Sequence, residues 1–250
     1  MEVIFSSKDP AGTLIAKALS ECDVESTKTD SGLLYAEQDI DKIKTDFLVF
    51  ASKHKSESGA PVFTVHVPGN WNAADMGGKP GQISWSDPLG MKSIAVALEK
   101  ERKRAGIEIT VGMEVDHHGP LCTIPCCFTE IGSTETEWNN SKYAAAVAAA
   151  ITEAKDTQNE NSANEIAFCV GGGHYCPAFN KLELGDRIAV AHTLPNYAVD
   201  SVAPETFAQA FERTSEEIDV VLIDWRGLKA PQREKVLKLT NEAGAEWRKV

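Results

Sequence analysis

Short apolar runs alternate with stretches of helical periodicity from one end of this chain to the other. The strand-like runs cover residues 3–6, 33–36, 46–51, 61–67, 107–115, 127–131, 165–170, 187–192 and 219–223. Between them, apolar residues at i, i+4 spacing (Leu14 with Ala18, Ile15 with Leu19) mark a helix opened by Asp9-Pro10. Further helices are expected over 89–105, 135–155, 204–213 and 231–243. Asp is a good N-cap and Pro a good first helical residue, and Thr134 with Glu137 fits a capping box. Such alternation restricts the chain to an α/β fold, a mostly parallel or mixed central sheet flanked by helices. No repeat and no linker interrupts it, so residues 1–250 read as a single domain. The Gly-, Pro- and Asn-rich stretch over about 70–88, with Gly77-Gly-Lys-Pro-Gly81 at its centre, reads as a long loop or lid because strong elements flank it.

Charge narrows the function classes. A net charge of −12 excludes a generic nucleic-acid coat, which needs a cationic surface. The charge is uneven, however: residues 92–104 hold five basic residues against two acidic, and 226–250 hold seven against three. A local basic stripe from Lys100, Arg102 and Arg104, with the segment from Lys229 to Lys238, can still meet phosphates. The six cysteines form no C-x-x-C pair, and no apolar run is long enough to span a bilayer. Reduced thiols in a cytoplasmic chain, without a DNA or membrane partner and monomeric, is the expectation.

Chemistry concentrates between Gly112 and Trp138. The strand over 107–115 delivers Glu114, Asp116, His117 and His118 to a loop stopped by Gly119-Pro120. All six histidines (His54, His66, His117, His118, His174, His192) fall at strand ends or just beyond, where open α/β sheets bind ligands; His192, with no glycine nearby, fits least. Adjacent His117 and His118 point to opposite faces if extended, so one can reach a pocket while the other braces it. With Glu114, Glu130 or a distant histidine, this N/O set suits Zn²⁺; histidine acting as general base without a metal fits the residues equally. Gly132-Ser133-Thr134, just before a helix, offers N–H groups and hydroxyls to an oxyanion, although capping alone accounts for it. Gly171-Gly-Gly is not a dinucleotide fingerprint, since Pro177 is expected to follow rather than a helix. It does allow a ligand close to the backbone.

The segments Phe50-Ala-Ser-Lys-His-Lys-Ser56, His66-Val-Pro-Gly-Asn70, Glu114-Val-Asp-His-His-Gly-Pro120, Glu130-Ile-Gly-Ser-Thr-Glu-Thr-Glu-Trp138 and Gly171-Gly-Gly-His-Tyr-Cys-Pro177 occur in this order. Together they resemble the archaeal-type D-aminoacyl-tRNA deacylases, a family with plant relatives. Asp116 and Cys176 stand where Thr and Ala are expected. The resemblance implies a phosphorylase/hydrolase-like fold with a part similar to peptidyl-tRNA hydrolase. It also implies hydrolysis of the ester joining a D-amino acid to the tRNA 3′ end, with zinc as cofactor.

Residue chemistry within these motifs then suggests roles. His117 or His118, with Glu130, is expected to order or deprotonate the water, either directly or on zinc held among His54, His66, His117 and His174. Ser133 and Thr134 are expected to receive the oxyanion, and Lys53, Asn70, Gly171, Gly172 and Tyr175 to shape the pocket for the terminal adenosine and amino acid. Lys100, Arg102 and Arg104 are expected to hold tRNA phosphates. Two alternatives share these residues: a zinc hydrolase of a small amide or nucleoside, and a noncatalytic tRNA- or nucleotide-binding module.

Overall fold

The computed structural model describes residues 1–157, 165–185 and 187–250. In chain order its strands are β1 (Glu2–Ser6), β2 (Thr27–Thr29), β3 (Leu48–Lys55), β4 (Val62–His66), β5 (Gly69–Asn70), β6 (Gln82–Ile83), β7 (Thr110–Met113), β8 (Cys126–Ser133), β9 (Glu165–Val170), β10 (Ile188–Leu194), β11 (Val220–Ile223) and β12 (Trp247–Lys249). Its α-helices are α1 (Pro10–Glu21), α2 (Glu37–Ile40), α3 (Pro88–Arg104), α4 (Glu135–Trp138), α5 (Ser141–Thr157), α6 (Pro177–Gly185), α7 (Pro204–Glu212) and α8 (Ala230–Glu242). The α/β expectation holds, with the sheet divided in two. Six strands run in the order β2-β1-β3-β8-β4-β7 and four in the order β10-β9-β11-β12, while β5 and β6 make a two-stranded ribbon. One apolar core joins the two large sheets, from Val3, Val49 and Phe63 through Ile94 and Val147 to Cys169 and Leu222.

The smaller sheet is wholly parallel. In the larger one β3 runs parallel to β8, and β4 parallel to β7, but β4 and β8 are antiparallel. The C-terminal ends of β4 and β7 therefore lie at the opposite edge from those of β3 and β8. This one reversal decides where the site can form.

Four local expectations change. Residues 33–36 form one 3-10 turn (Leu33–Tyr35) rather than a strand; Leu33 and Ala36, three residues apart, are buried while Tyr35 is exposed, a spacing of one turn rather than of an alternating strand. The helix expected over 135–155 is broken between α4 and α5, because the Asn140 side chain accepts the N–H groups of Lys142 and Tyr143 and starts a new helix. Pro177 does not exclude a helix after the glycines: it opens α6, as Pro in a first turn can. The strand expected over 107–115 is ordered only as β7, so Glu114 already lies beyond it. The polar loop expected over 156–164 lies, from 158 onward, outside the described residues. No helix among the described residues is long and apolar enough to cross a membrane.

Candidate active site

The site lies on one face of the larger sheet. Phe128, Glu130 and Gly132 alternate along β8 and so share a face. His54 on β3 is in register with Gly132, whereas His66 on β4 is in register with Phe128 and Thr64 with Glu130. His54 and His66 thus approach Glu130 diagonally from two strands of opposite direction, each with a ring nitrogen 3.6 Å from its Oε2. Thr64 Oγ1 donates to the same oxygen at 3.1 Å, and the ring of Phe128 stacks on His66 at 5.2 Å.

The loops after β7 and β9 cover this face. Glu114 enters the centre, and four imidazoles surround its carboxylate: His54 Nδ1 at 2.9 Å, His174 Nε2 at 3.3 Å, His117 Nε2 at 3.4 Å and His66 Nε2 at 4.0 Å. Neither Glu114 oxygen makes an aligned hydrogen bond, although both are buried, and His66 Nε2 also lacks a hydrogen-bond partner. Buried polar atoms left this way are costly unless another group meets them. The backbone has also chosen the tautomers. His66, His117 and His118 each donate Nδ1–H to a carbonyl, those of Val67 (3.2 Å), Val115 (2.8 Å) and Gly119 (2.6 Å). When such a ring is neutral, its Nε2 keeps a lone pair for a metal or a proton, the usual arrangement of a metal-binding histidine.

Three sets of side chains have ligand atoms close enough to share an ion: His66, His117 and His118; His54, Glu114 and His174; His66, Glu114 and Glu130. The buried His and Glu groups can therefore bind a metal, and the orphaned Glu114 oxygens fit one. Electrostatics divide the rings. Burial, with the nearby His118 and His66, drives the His117 pKa well below the ordinary value; burial and His66 bring His118 down to about 4; burial also lowers His174. Burial opposes protonation of His54 too, but Glu114 and Glu130 outweigh it and push its pKa up to about 11. Glu130, which burial alone would raise, is held well below the carboxylate range by His54 and His66.

Five of the six histidines converge here. His192 does not: it is wholly buried inside β10, where Nδ1 meets Asp116 Oδ2 at 2.7 Å and Nε2 meets the Arg213 carbonyl at 3.2 Å. Asp116 also accepts the Thr193 N–H and so turns away from Glu114. Tyr175 reaches the cluster through its hydroxyl, 2.8 Å from His54 Nε2. Lys53 lies over the Trp138 ring, and the Trp138 indole N–H donates to the His54 carbonyl.

Other expected site residues are committed elsewhere. Ser133 Oγ donates to the Ala60 carbonyl, and the Thr134 N–H and hydroxyl both donate to Glu137. Both side chains are thus engaged within the protein, Thr134 as the cap of α4 and Ser133 on the segment leading into β4. Asn70 donates to the Gly77 carbonyl and so tethers the 71–81 loop. Gly171, with φ +133°, packs on Asp224, and Gly172 accepts the Asn196 N–H. Lys100 pairs with Glu153 at 2.7 Å, Arg102 with Glu99 at 2.6 Å and Arg104 with Glu101 at 2.6 Å. The phosphate stripe expected on α3 is thus largely neutralised within the protein.

Gly132 and Thr64 are site residues that sequence reasoning missed in this role. A Cβ on Gly132 would lie 2.6 Å from His54 Cδ2, so only glycine leaves that ring its place. A cavity of about 250 Å³ borders His117 and His118 and is lined by polar Asn70, Asn72 and Asp75 and by apolar surface of Trp71, Pro195 and Ala198. Across Tyr175 lies an apolar cavity of about 390 Å³ between Val62, Val111, Met113 and Pro177.

Comparison with known proteins bears on this geometry. A family model described as D-aminoacyl-tRNA deacylase matches residues 41–248. A D-aminoacyl-tRNA deacylase of Thermococcus kodakarensis is 36% identical over 206 residues, covering 82% of this chain and 74% of its own. That of Pyrococcus furiosus is 36% identical over 217 residues, covering 85% and 78%, and that of Korarchaeum cryptofilum 30% identical, covering 98% and 91%. A crystal structure described as a conserved protein of unknown function superposes with a TM-score of 0.89 at 29% identity, covering 99% of this chain and 94% of that one.

Proposed function

This chain belongs to the D-aminoacyl-tRNA deacylase family, and we propose that the cluster around Glu114 is where it hydrolyses the ester between a D-amino acid and the tRNA 3′ end. The observation that carries the assignment is the buried Glu114 carboxylate, with no aligned hydrogen bond and four imidazoles around it. Recycling of tRNA charged with the wrong enantiomer, in the cytoplasm, is the role that follows.

An aminoacyl ester is already activated, so hydrolysis asks for a positioned water, a group to take its proton and a counter-charge for the carbonyl oxygen. His117 and His118, kept neutral by burial, present Nε2 lone pairs that can order the water and accept its proton. Glu130 stays ionised between His54 and His66 and fixes both rings. Tyr175 steadies His54 from the far side and carries a hydroxyl at the mouth, beside the half-exposed His174. We place zinc here, held by Glu114 with His54 and His174, whose ligand atoms lie close enough to share an ion and whose N/O chemistry suits zinc. When bound, zinc supplies Lewis acidity toward water and the carbonyl oxygen. The cavity beside His117, which sets Asn70, Asn72 and Asp75 beside the rings of Trp71 and Tyr197, suits the terminal adenosine, and the apolar cavity across Tyr175 suits the amino-acid side chain. The 71–81 loop, tethered by Asn70, is the lid in this reading.

The test is deacylation of D-tyrosyl- and L-tyrosyl-tRNA by wild-type protein and by His117→Ala and His118→Ala separately. Release of D-tyrosine by wild type, reduced about a hundredfold or more in at least one variant, is expected for loss of a general base. Wild-type turnover in both variants refutes the assignment, and no D-specific release by wild type refutes the function.

A further inference from the structure

Trp225, just beyond the end of β11, stacks on Trp247, the first residue of β12, with ring centroids 6.0 Å apart and planes 8° from parallel. Two cations rest on Trp225: Lys249 Nζ 3.9 Å from the ring centroid and the Arg233 guanidinium 4.9 Å from it. Arg226, next in the chain, is exposed. Among the described residues none of these three cations has a carboxylate at ion-pair distance, and Arg233 Nε is buried without a hydrogen-bond partner. Their neighbours differ: Arg248 pairs with Glu165, Lys238 with Glu242, and Lys235 donates to the carbonyls of Asp200 and Val202.

The distinction is electrostatic. An indole holds a cation through its quadrupole but carries no net charge, so it fixes the cation without cancelling it. The ion pairs of α3 do cancel theirs. On an acidic body, the Trp225 ledge is therefore a place where pinned positive charge remains available to an anion.

Its position relates it to the site. The four strands of the smaller sheet are parallel, so their C-terminal ends share one rim. β10 leads into Pro195 and Tyr197, which line the cavity beside His117, and β9 leads through Gly171 to His174. β11 leads into Asp224 and Trp225, with Gly171 packed against Asp224, and β12 ends on Lys249. Two strand spacings, about 10 Å, separate the line of β9 from that of β12. That span suits a single strand of nucleic acid whose last residue enters the cluster.

We propose that Arg233 and Lys249, set on Trp225, together with the adjacent exposed Arg226, grip the phosphates of the single-stranded acceptor end of tRNA and lead its terminal nucleotide to Glu114. This rests on the deacylase reading above. Cations fixed on aromatic faces beside a groove are a general means of tracking single strands.

The experiment uses the full chain carrying Arg226→Gln with Lys249→Gln, both at exposed positions, alongside Lys100→Gln with Arg102→Gln as control. Binding of uncharged tRNA is measured over a salt series, and hydrolysis is followed on D-tyrosyl-tRNA and on the D-tyrosyl ester of adenosine. For the ledge variant we expect a KM for the tRNA substrate raised roughly tenfold with kcat unchanged, the adenosine ester unaffected, and a log–log salt slope shallower by about 1.4 for two lost single-strand contacts. The control keeps the wild-type slope. Unchanged tRNA binding in the ledge variant overturns the proposal, as does a larger loss in the control. If the variant instead disrupts a dimer while tRNA affinity persists, the surface joins copies of this chain and the proposal also falls. Failure of wild type to cleave either substrate sinks the deacylase reading alone, since the binding series still judges the ledge.

Discussion

Gly132→Ala tests the site's construction more sharply than removal of any histidine. A Cβ there would stand 2.6 Å from His54 Cδ2, 2.9 Å from Cβ and 3.1 Å from Cγ. Restoring ordinary contact, which begins at 3.4 Å, requires the ring to retreat by about 0.8 Å, an overpacking of the kind that costs about 1–3 kcal/mol. Retreat is resisted from both ring nitrogens, by Glu114 at 2.9 Å and the Tyr175 hydroxyl at 2.8 Å. A displacement near 1 Å in a catalytic constellation lowers turnover roughly a hundredfold. Chemical denaturation and kcat on D-tyrosyl-tRNA, for Gly132→Ala, His54→Ala and the double variant, form a cycle. If the clash with the ring is the cause, the added methyl costs about 1–3 kcal/mol beside histidine and less beside alanine, which keeps only the Cβ contact at 2.9 Å. Wild-type stability and turnover in Gly132→Ala would show that His54 is not held where this account needs it.

Four further outcomes are expected. Glu114→Gln should cut metal affinity by at least 10–100-fold, read as metal content of the purified protein, and chelator should abolish wild-type turnover until zinc is restored; full activity after complete chelation rules the zinc centre out. Thr134→Ala should leave deacylation near wild type while costing about 1 kcal/mol of stability as a lost cap; a large fall in kcat with stability intact would return Thr134 to the oxyanion role. Asp116→Asn, breaking the buried pair with His192, should destabilise by about 3 kcal/mol, measured in urea, and an unchanged midpoint contradicts the pairing. Burial raises the Glu183 pKa to about 7, so the folded state prefers this carboxyl protonated: the favourable contribution is complete below pH about 4.5 and fades as pH rises through about 7. Glu183→Gln should therefore gain stability relative to wild type between those values, by up to about 3 kcal/mol, and a pH-independent difference in midpoint refutes it.

Much of the fold was legible because its central strands are buried on both faces and so read as continuous apolar runs, as at Leu48–Ala51 or Val220–Ile223. The strands that escaped notice are edges. Thr27-Lys-Thr29 and Trp247-Arg-Lys249 pair on one side only and have no apolar run to announce them. The break between α4 and α5 was hidden for a different reason. No glycine or proline marks it, and only the Asn140 side chain, closing on Lys142 and Tyr143, starts the count again.

The site was legible in its residues and much less so in its geometry. Collecting histidines by strand ends assumes that the ends meet at one edge, which holds for a parallel sheet. Here β4 reverses against β8, and His66 enters from the opposite edge to His54, four residues away along β8, roughly 13 Å of strand. What reunites the two rings is Glu130, midway between them on the shared face and long enough to reach both. A one-residue slip of β4 would turn His66 and Thr64 to the other face and leave Glu130 with His54 alone. Strand direction and register are consequences of tertiary packing, so no local pattern around Glu130 could reveal its position. The same holds for Gly132, whose glycine reads as a turn signal until the neighbouring strand brings His54 against it.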